Sequence, residues 1–170
     1  MTKIQIRDYI DSDWDRCREV HDLARPIELQ GSCDPRAFVP LADDAEDLAE
    51  FQGAKKYVAS VPPIPSIEEK IEEKVIGFVG VDGSDVGWLY VDPSSVRQGV
   101  GRALLRYAMT QIITNAPTLL PNAPGISVYV LEGNTPALKL YRSEAFETVD
   151  KFQSKNNGYR CTVLKLRYST

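Results

Sequence analysis

The chain has 170 residues, a length that fits one domain, and 43% of them are apolar, which supplies a core and excludes the disordered class. A net charge of −4 argues against a nucleic-acid backbone as partner, because neutralising phosphates takes clustered Lys and Arg. No apolar run approaches the ~18 residues of a membrane span and the first residues carry no signal-like stretch, so a soluble, cytoplasmic protein with no membrane partner is expected.

Lys3 to Tyr9 alternates and reads as an opening strand anchored by Ile4 and Ile6. Ser12 and Asp15 form a variant capping box for a helix in which Trp14, Cys17, Val20 and Ala24 recur at helical spacing, and Pro26 is expected to end it. The irregular segment from Pro26 to Val39 is long enough to shape a pocket. A second helix is predicted after Pro40, with Leu41, Ala45, Leu48, Ala49 and Gln52 on one face.

Strands follow Gly53. Lys56 to Val61 is the first, and Pro62 to Pro65 breaks it before a charged stretch from Glu68 to Lys74. Val75 to Val81 and Val86 to Val91 flank a hairpin turn at Asp82 to Asp85. A long helix then places Val100, Ala103, Leu104, Tyr107, Ala108 and Gln111 on one face and stops before Pro117. After a proline-rich turn from Pro117 to Pro124 comes a strand, Ile126 to Leu131, and a short helix capped by Thr135 with Pro136 in its first turn. Phe146 to Phe152 and Tyr159 to Leu166 close the chain as a hairpin around Asn156-Asn157-Gly158. This order predicts a single α/β domain over residues 1–170, with a mixed sheet and at least one crossover helix.

Cys17, Cys33 and Cys161 are far apart and lack C-x-x-C spacing, so they are expected to be reduced thiols. One histidine with dispersed cysteines makes no zinc pattern, and the acidic run Asp43 to Glu50 lacks calcium-loop spacing, so no metal is expected.

The segment Val91 to Gly101, between a strand and a long helix, holds Gly99 and Gly101 where helix-start amides without partners would face an anion. A dinucleotide fingerprint would need a third glycine at Leu104, and a P-loop would need Gly-Lys-Ser/Thr where Gly101 is followed by Arg102 and Ala103. Neither nucleotide class fits.

Val91-Asp92-Pro93, the run Arg97 to Leu105, and the later Leu131 to Tyr141 with Ala145-Phe146 together resemble the GCN5-related N-acetyltransferase (GNAT) superfamily. The resemblance covers about Lys74 to Phe152. It implies the acyl-CoA N-acyltransferase fold: a mixed, mostly antiparallel twisted sheet of about seven strands flanked by about four helices. It further implies acetyl-CoA as co-substrate, its pyrophosphate held by Arg97, Gln98, Gly99, Val100, Gly101, Arg102 and Ala103, and its pantetheine arm beside Leu89, Tyr90 and Val91 on the fourth strand. Asn134 would bond the cofactor, and Tyr141 stands where the family carries the tyrosine that protonates or bonds the departing thiolate. Two departures stand out: Val96 replaces the usual Gln or Arg three positions before Gly99, and Ala145 replaces the usual Gly before Phe146.

The implied reaction is acetylation of a primary amine, expected to belong to a small molecule; protein acetylation and a catalytically inactive acyl-CoA-binding module are the alternatives, and a homodimer is left open. An aliphatic amine must first lose a proton, since its reference pKa is near 10. No fourth-strand glutamate aligns, because Gly87 or Trp88 stands there. The candidate bases are Glu28 and His21, with Asp34, Asp85 and Tyr90 as further candidates.

Overall fold

The computed structural model describes residues 3–63, 72–116 and 125–168. Of the proline break expected at 62–65 and the charged stretch expected at 68–74, residues 64–71 lie outside the described residues, as does the proline-rich turn at 117–124. Seven strands, β1 (Gln5–Asp8), β2 (Lys55–Val61), β3 (Lys74–Asp82), β4 (Asp85–Val91), β5 (Ser127–Leu131), β6 (Phe146–Asn156) and β7 (Tyr159–Tyr168), form one sheet in the order β1-β2-β3-β4-β5-β7-β6. Only β4 and β5 run parallel, joined across the sheet by a connection containing α3 (Val100–Asn115). Helices α1 (Trp14–Leu29) and α2 (Ala45–Gly53) precede β2, and α4 (Thr135–Ser143) follows β5.

Both faces of the central strands are covered, so β3 is buried from Val75 through Val81 rather than alternating. On one face, Leu104, Leu105 and Ala108 of α3 and Leu138 of α4 pack on Val79, Val128 and Leu166. On the other, Cys17 and Val20 of α1 and Phe51 of α2 pack on Val58, Phe78 and Trp88. Among the described residues no helix is long and apolar enough to cross a membrane.

Several local expectations are corrected by tertiary contacts. Helix α1 continues through Pro26 to Leu29. The missing proline N–H forfeits only the bond to the Asp22 carbonyl, while the Gln30 N–H closes on Pro26 O at 3.1 Å and Leu29 is fully buried. At its start, Asp13 takes the part assigned to Ser12: its carboxylate accepts the Ile10 N–H at 2.9 Å and two Arg7 bonds at 2.8 and 2.9 Å. Helix α2 starts at Ala45, capped by Asp44 through the Asp47 N–H at 3.1 Å, so Leu41 enters the core from a turn and not from the helix. The cap of α4 is Asn134, not Thr135, its side-chain carbonyl accepting the Ala137 N–H at 3.3 Å. The hairpin at Asn157-Gly158 has positive φ at both residues, 47° and 85°, as a two-residue turn of matching twist requires.

The expectation of three reduced cysteines is also overturned. Cys33 and Cys161 form a disulfide with their Cα atoms 5.2 Å apart, and only Cys17 is a free thiol. Sequence spacing gave no sign of this, because 128 residues separate the pair and only the packing of the segment after α1 against β7 brings them together.

Candidate functional site

Strands β4 and β5 pair only at Asp85 with Ser127 and Val86 with Val128. Beyond Val86 the two diverge, so the β5-facing edge of β4 from Gly87 to Val91 has no strand partner among the described residues while its other edge is held by β3. Leu89, Tyr90 and Val91 lie on this stretch. The chain then turns through Asp92 and a short 3-10 turn, Pro93–Ser95, into the glycine loop at the head of α3.

Backbone conformation accounts for the loop's composition. Gly99 is the N-cap of α3 at φ 82°, a left-handed geometry open to glycine, and it has no side chain to cap the helix. The first intrahelical bond is from the Ala103 N–H to Gly99 O at 3.0 Å. The amides of Val100, Gly101 and Arg102 therefore lack helical acceptors and present the positive end of the helix. Ala103 departs from the expected set, since its amide is spent inside the helix. A Cβ on Gly101 would meet Leu140 at 3.5 Å and Val91 at 3.7 Å, ordinary contact distances, so the protein's own packing does not demand glycine there. A residue without a side chain there lets a bulky anion approach the neighbouring unpaired amides closely.

The two arginines expected at the phosphates differ. Arg97 is exposed, has φ 63°, and makes no ion pair among the described residues. Arg102 instead pairs with Glu144 at 2.9 Å and donates to Ser143 Oγ at 3.1 Å, which turns it toward the end of α4. Gln98 is exposed beside them, as is Val96.

The loop is anchored by a residue that sequence reasoning passed over. Asp92, 5% exposed, accepts the Ser94 N–H at 2.8 Å and the Ser94 hydroxyl at 2.7 Å, and pairs with the Arg16 guanidinium from α1. Arg16 also donates to Val75 O at 2.9 Å. Burial alone would push the Asp92 carboxyl up, but Ser94 and Arg16 outweigh it and hold the group below its ordinary value. The Asp-x-Ser spacing was the available signal, as it marks a side chain that can cap the turn it begins.

On the other side of the β4 and β5 divergence, the Tyr90 hydroxyl donates to Glu28 Oε2 at 3.1 Å, and Arg25 pairs with the same carboxylate at 2.8 Å. Burial and the Glu28 charge raise Tyr90 well above the ordinary phenol value. Tyr141, 6% exposed on α4, is raised by burial and by the charge of Glu28, so it is a neutral hydroxyl at any physiological pH. Of the expected bases, Glu28 is the one hydrogen-bonded to Tyr90 of β4. His21 is 1% exposed between the Trp88 and Tyr90 rings; its Nδ1 bonds Asp22 Oδ1 at 2.9 Å and its Nε2 has no partner among the described residues. Asp34 is removed from the candidates by a surface pair with Arg36, which lowers it to about 2, and Asp85 by its place at the opposite end of β4 from Val91. Asn134 sits between β5 and α4 with its carbonyl engaged as a cap, leaving its amide group for another partner.

Residues 67–148 match the family model described as an acetyltransferase (GNAT) domain. Over that stretch the chain carries a GNAT-type acetyltransferase domain, the family its motifs resemble. Among its GNAT relatives is the peptidyl-lysine N-acetyltransferase YjaB of Salmonella typhimurium, 27% identical over 97 residues, which make up 57% of this chain and 59% of that protein. The chain thus spans less than two thirds of that relative's length. A GNAT structure from Rhodopseudomonas palustris superimposes with a TM-score of 0.78 at 16% identity, covering 100% of this chain and 98% of that one. The complex of Arabidopsis thaliana NAA60 with acetyl-CoA superimposes at 0.66 with 19% identity and 98% coverage of both chains. The GNAT fold is the acyl-CoA N-acyltransferase fold anticipated from the sequence, seven strands and four helices included.

Proposed function

We propose that this protein is an acetyl-CoA-dependent N-acetyltransferase that acetylates a primary amine. The observation that carries the reading is the divergence of β4 from β5 directly before the unpaired amides of Val100, Gly101 and Arg102. An unpartnered strand edge suits the amide-bearing pantetheine arm, and a helix start with a glycine cradle suits the pyrophosphate. The resemblance to NAA60 with acetyl-CoA supports the same placement.

Acetyl-CoA would supply a thioester carbonyl for the amine to attack and a thiolate to leave. The chain's residues divide the proton transfers. Glu28, held by Tyr90 and Arg25, takes a proton from the incoming ammonium, directly or through water. Tyr141, kept protonated by burial and the nearby negative charge, gives a proton to the departing sulfur. The β4 amides near Leu89 stabilise charge developing on the carbonyl oxygen.

The acceptor is a primary amine of a small molecule or the side chain of a peptidyl lysine. Similarity to YjaB favours the lysine, since that relative is a peptidyl-lysine N-acetyltransferase. Calorimetry with acetyl-CoA, then a thiol-release assay over polyamines, amino acids and lysine peptides, tests both levels. Saturable binding with release on one acceptor class is expected. Binding without release on any amine would leave an acyl-CoA-binding module, and a folded protein that binds no cofactor would refute the proposal.

A further inference from the structure

The segment after α1 is seated between three elements. Its first turn closes on the helix, with the Ser32 and Cys33 amides donating to Leu29 O at 3.0 and 2.9 Å. Its Gly31 carbonyl presses on the turn that precedes Asn134, where a Cβ on Gly133 would lie 2.3 Å from that oxygen. Leu29 packs with Leu131 and Cys161, and Cys33 is joined to Cys161 of β7. Farther along, the Asn157 side chain donates to Ala37 O at 2.9 Å and Asp44 Oδ2 at 3.0 Å, and Arg36 lies 5.2 Å from the Tyr159 ring centre. The far half thus has several noncovalent ties to the β6–β7 hairpin, whereas the near half, next to Glu28, has the disulfide. Ser32 Oγ is buried there with no hydrogen-bond partner among the described residues, a seat that an untethered segment would gain by leaving.

We propose that the Cys33–Cys161 disulfide is a positioning element of the acceptor side: it pins the last turn of α1 to β7 and so holds Glu28 at Tyr90. The inference rests on the proposed acetyltransferase reading for its kinetic consequence, but not for its structural one. Reduction by a dithiol such as dithiothreitol breaks the sulfur–sulfur bond; two electrons and two protons arrive at the Cys33 and Cys161 sulfurs, and the reagent leaves as its cyclic disulfide. The near half of the segment then loosens, while its far half stays on the hairpin.

The test compares the oxidised protein, the dithiothreitol-reduced protein and the Cys33→Ser/Cys161→Ser variant at a temperature where melting curves show all three folded. Reduction and the double substitution are expected to raise acceptor KM about three- to tenfold, the equivalent of ~0.7–1.4 kcal/mol, with the KM for acetyl-CoA within about twofold of the oxidised value. Amide hydrogen exchange over residues 28–34 is expected to quicken in both reduced and substituted forms, with that of residues 36–38 and of α3 unchanged. Equal acceptor kinetics in the three forms, or exchange over 28–34 that ignores the redox state, overturns the proposal. So does labelling of Cys33 and Cys161 by iodoacetamide in air-oxidised protein before any reductant is added. A protein that acetylates no amine refutes the functional reading instead, and the exchange measurement still decides the role of the disulfide.

Discussion

Tyr90 of β4 and Glu28 of α1 meet at 3.1 Å, hydroxyl to carboxylate, beside the stretch of β4 that does not pair with β5. Glu28 reaches that position because α1 does not stop at Pro26; a helix ended there would leave it in a loop. Glu28→Gln preserves the shape and an oxygen for Tyr90 to donate to, but removes the basic group. We expect turnover to fall by about 10²–10⁴-fold, with acetyl-CoA affinity unchanged in calorimetry. Loss of turnover in His21→Asn but not in Glu28→Gln would transfer the role of base to His21.

Tyr141→Phe removes the expected proton donor while keeping a ring that packs 5.8 Å from Phe146. Slower thiol release, by about 10-fold or more, with little change in acetyl-CoA dissociation constant is the expected result. An unaltered kcat would leave Tyr141 as a packing residue.

At Gly101, stability and binding are expected to move in opposite directions. A methyl there meets the protein only at ordinary distances and favours the helix, so Gly101→Ala should stabilise by some tenths to ~1 kcal/mol in denaturant melts. It should also weaken coenzyme A binding by about tenfold, or ~1.4 kcal/mol, by filling the cradle. Full affinity in the stabilised variant would show that the cofactor does not approach this backbone.

Asp92 connects stability to pH. Its folded-state value is depressed, so the network contributes stability that is present above the unfolded carboxyl value of about 3.9 and is lost as pH falls through the folded value. Asp92→Asn should cost about 1–3 kcal/mol at neutral pH and flatten the acid limb of a stability-versus-pH curve below about pH 4. It should also raise the KM for acetyl-CoA, because Asp92 and Arg16 hold the turn entering the glycine loop. An acid limb identical to that of the wild type would show that other carboxylates, such as Asp13 beside Arg7, carry the effect.

Ala145 stands where the family has glycine, and its φ is 64°. A left-handed alanine costs about 1–2 kcal/mol, and a glycine there loses ~0.5–1 kcal/mol more backbone entropy on folding. Ala145→Gly is therefore expected to stabilise by up to ~1 kcal/mol, measured as a higher denaturant midpoint with an unchanged slope. A lower midpoint would mean that the alanine methyl makes contacts worth more than the strain.

Much of the fold was legible because its signals are local. The strand and helix order, the hairpin at Asn157-Gly158 and the glycine loop each follow from spacing and backbone demands within a few residues. The boundaries that shifted did so where a distant group supplied what the local sequence lacked. Asp13 became the anchor of α1 because Arg7 pairs with it, and α1 passed Pro26 because Leu29 had a core to enter. Of the expected phosphate ligands, Arg102 was diverted by Glu144, 42 positions away, a competition invisible in the loop itself.

By itself, the sequence determined the periodicities, the glycine pair before α3 and the motif pair that resembles the GNAT proteins, all properties of neighbouring residues. Only the tertiary structure decided which side chains share the site: Glu28 with Tyr90, Arg16 with Asp92, and Cys33 with Cys161 across 128 residues. The reason is physical. A side chain's neighbours across elements depend on sheet register, on where β4 and β5 part, and on how far each helix runs, and these are settled by the packing of the whole chain.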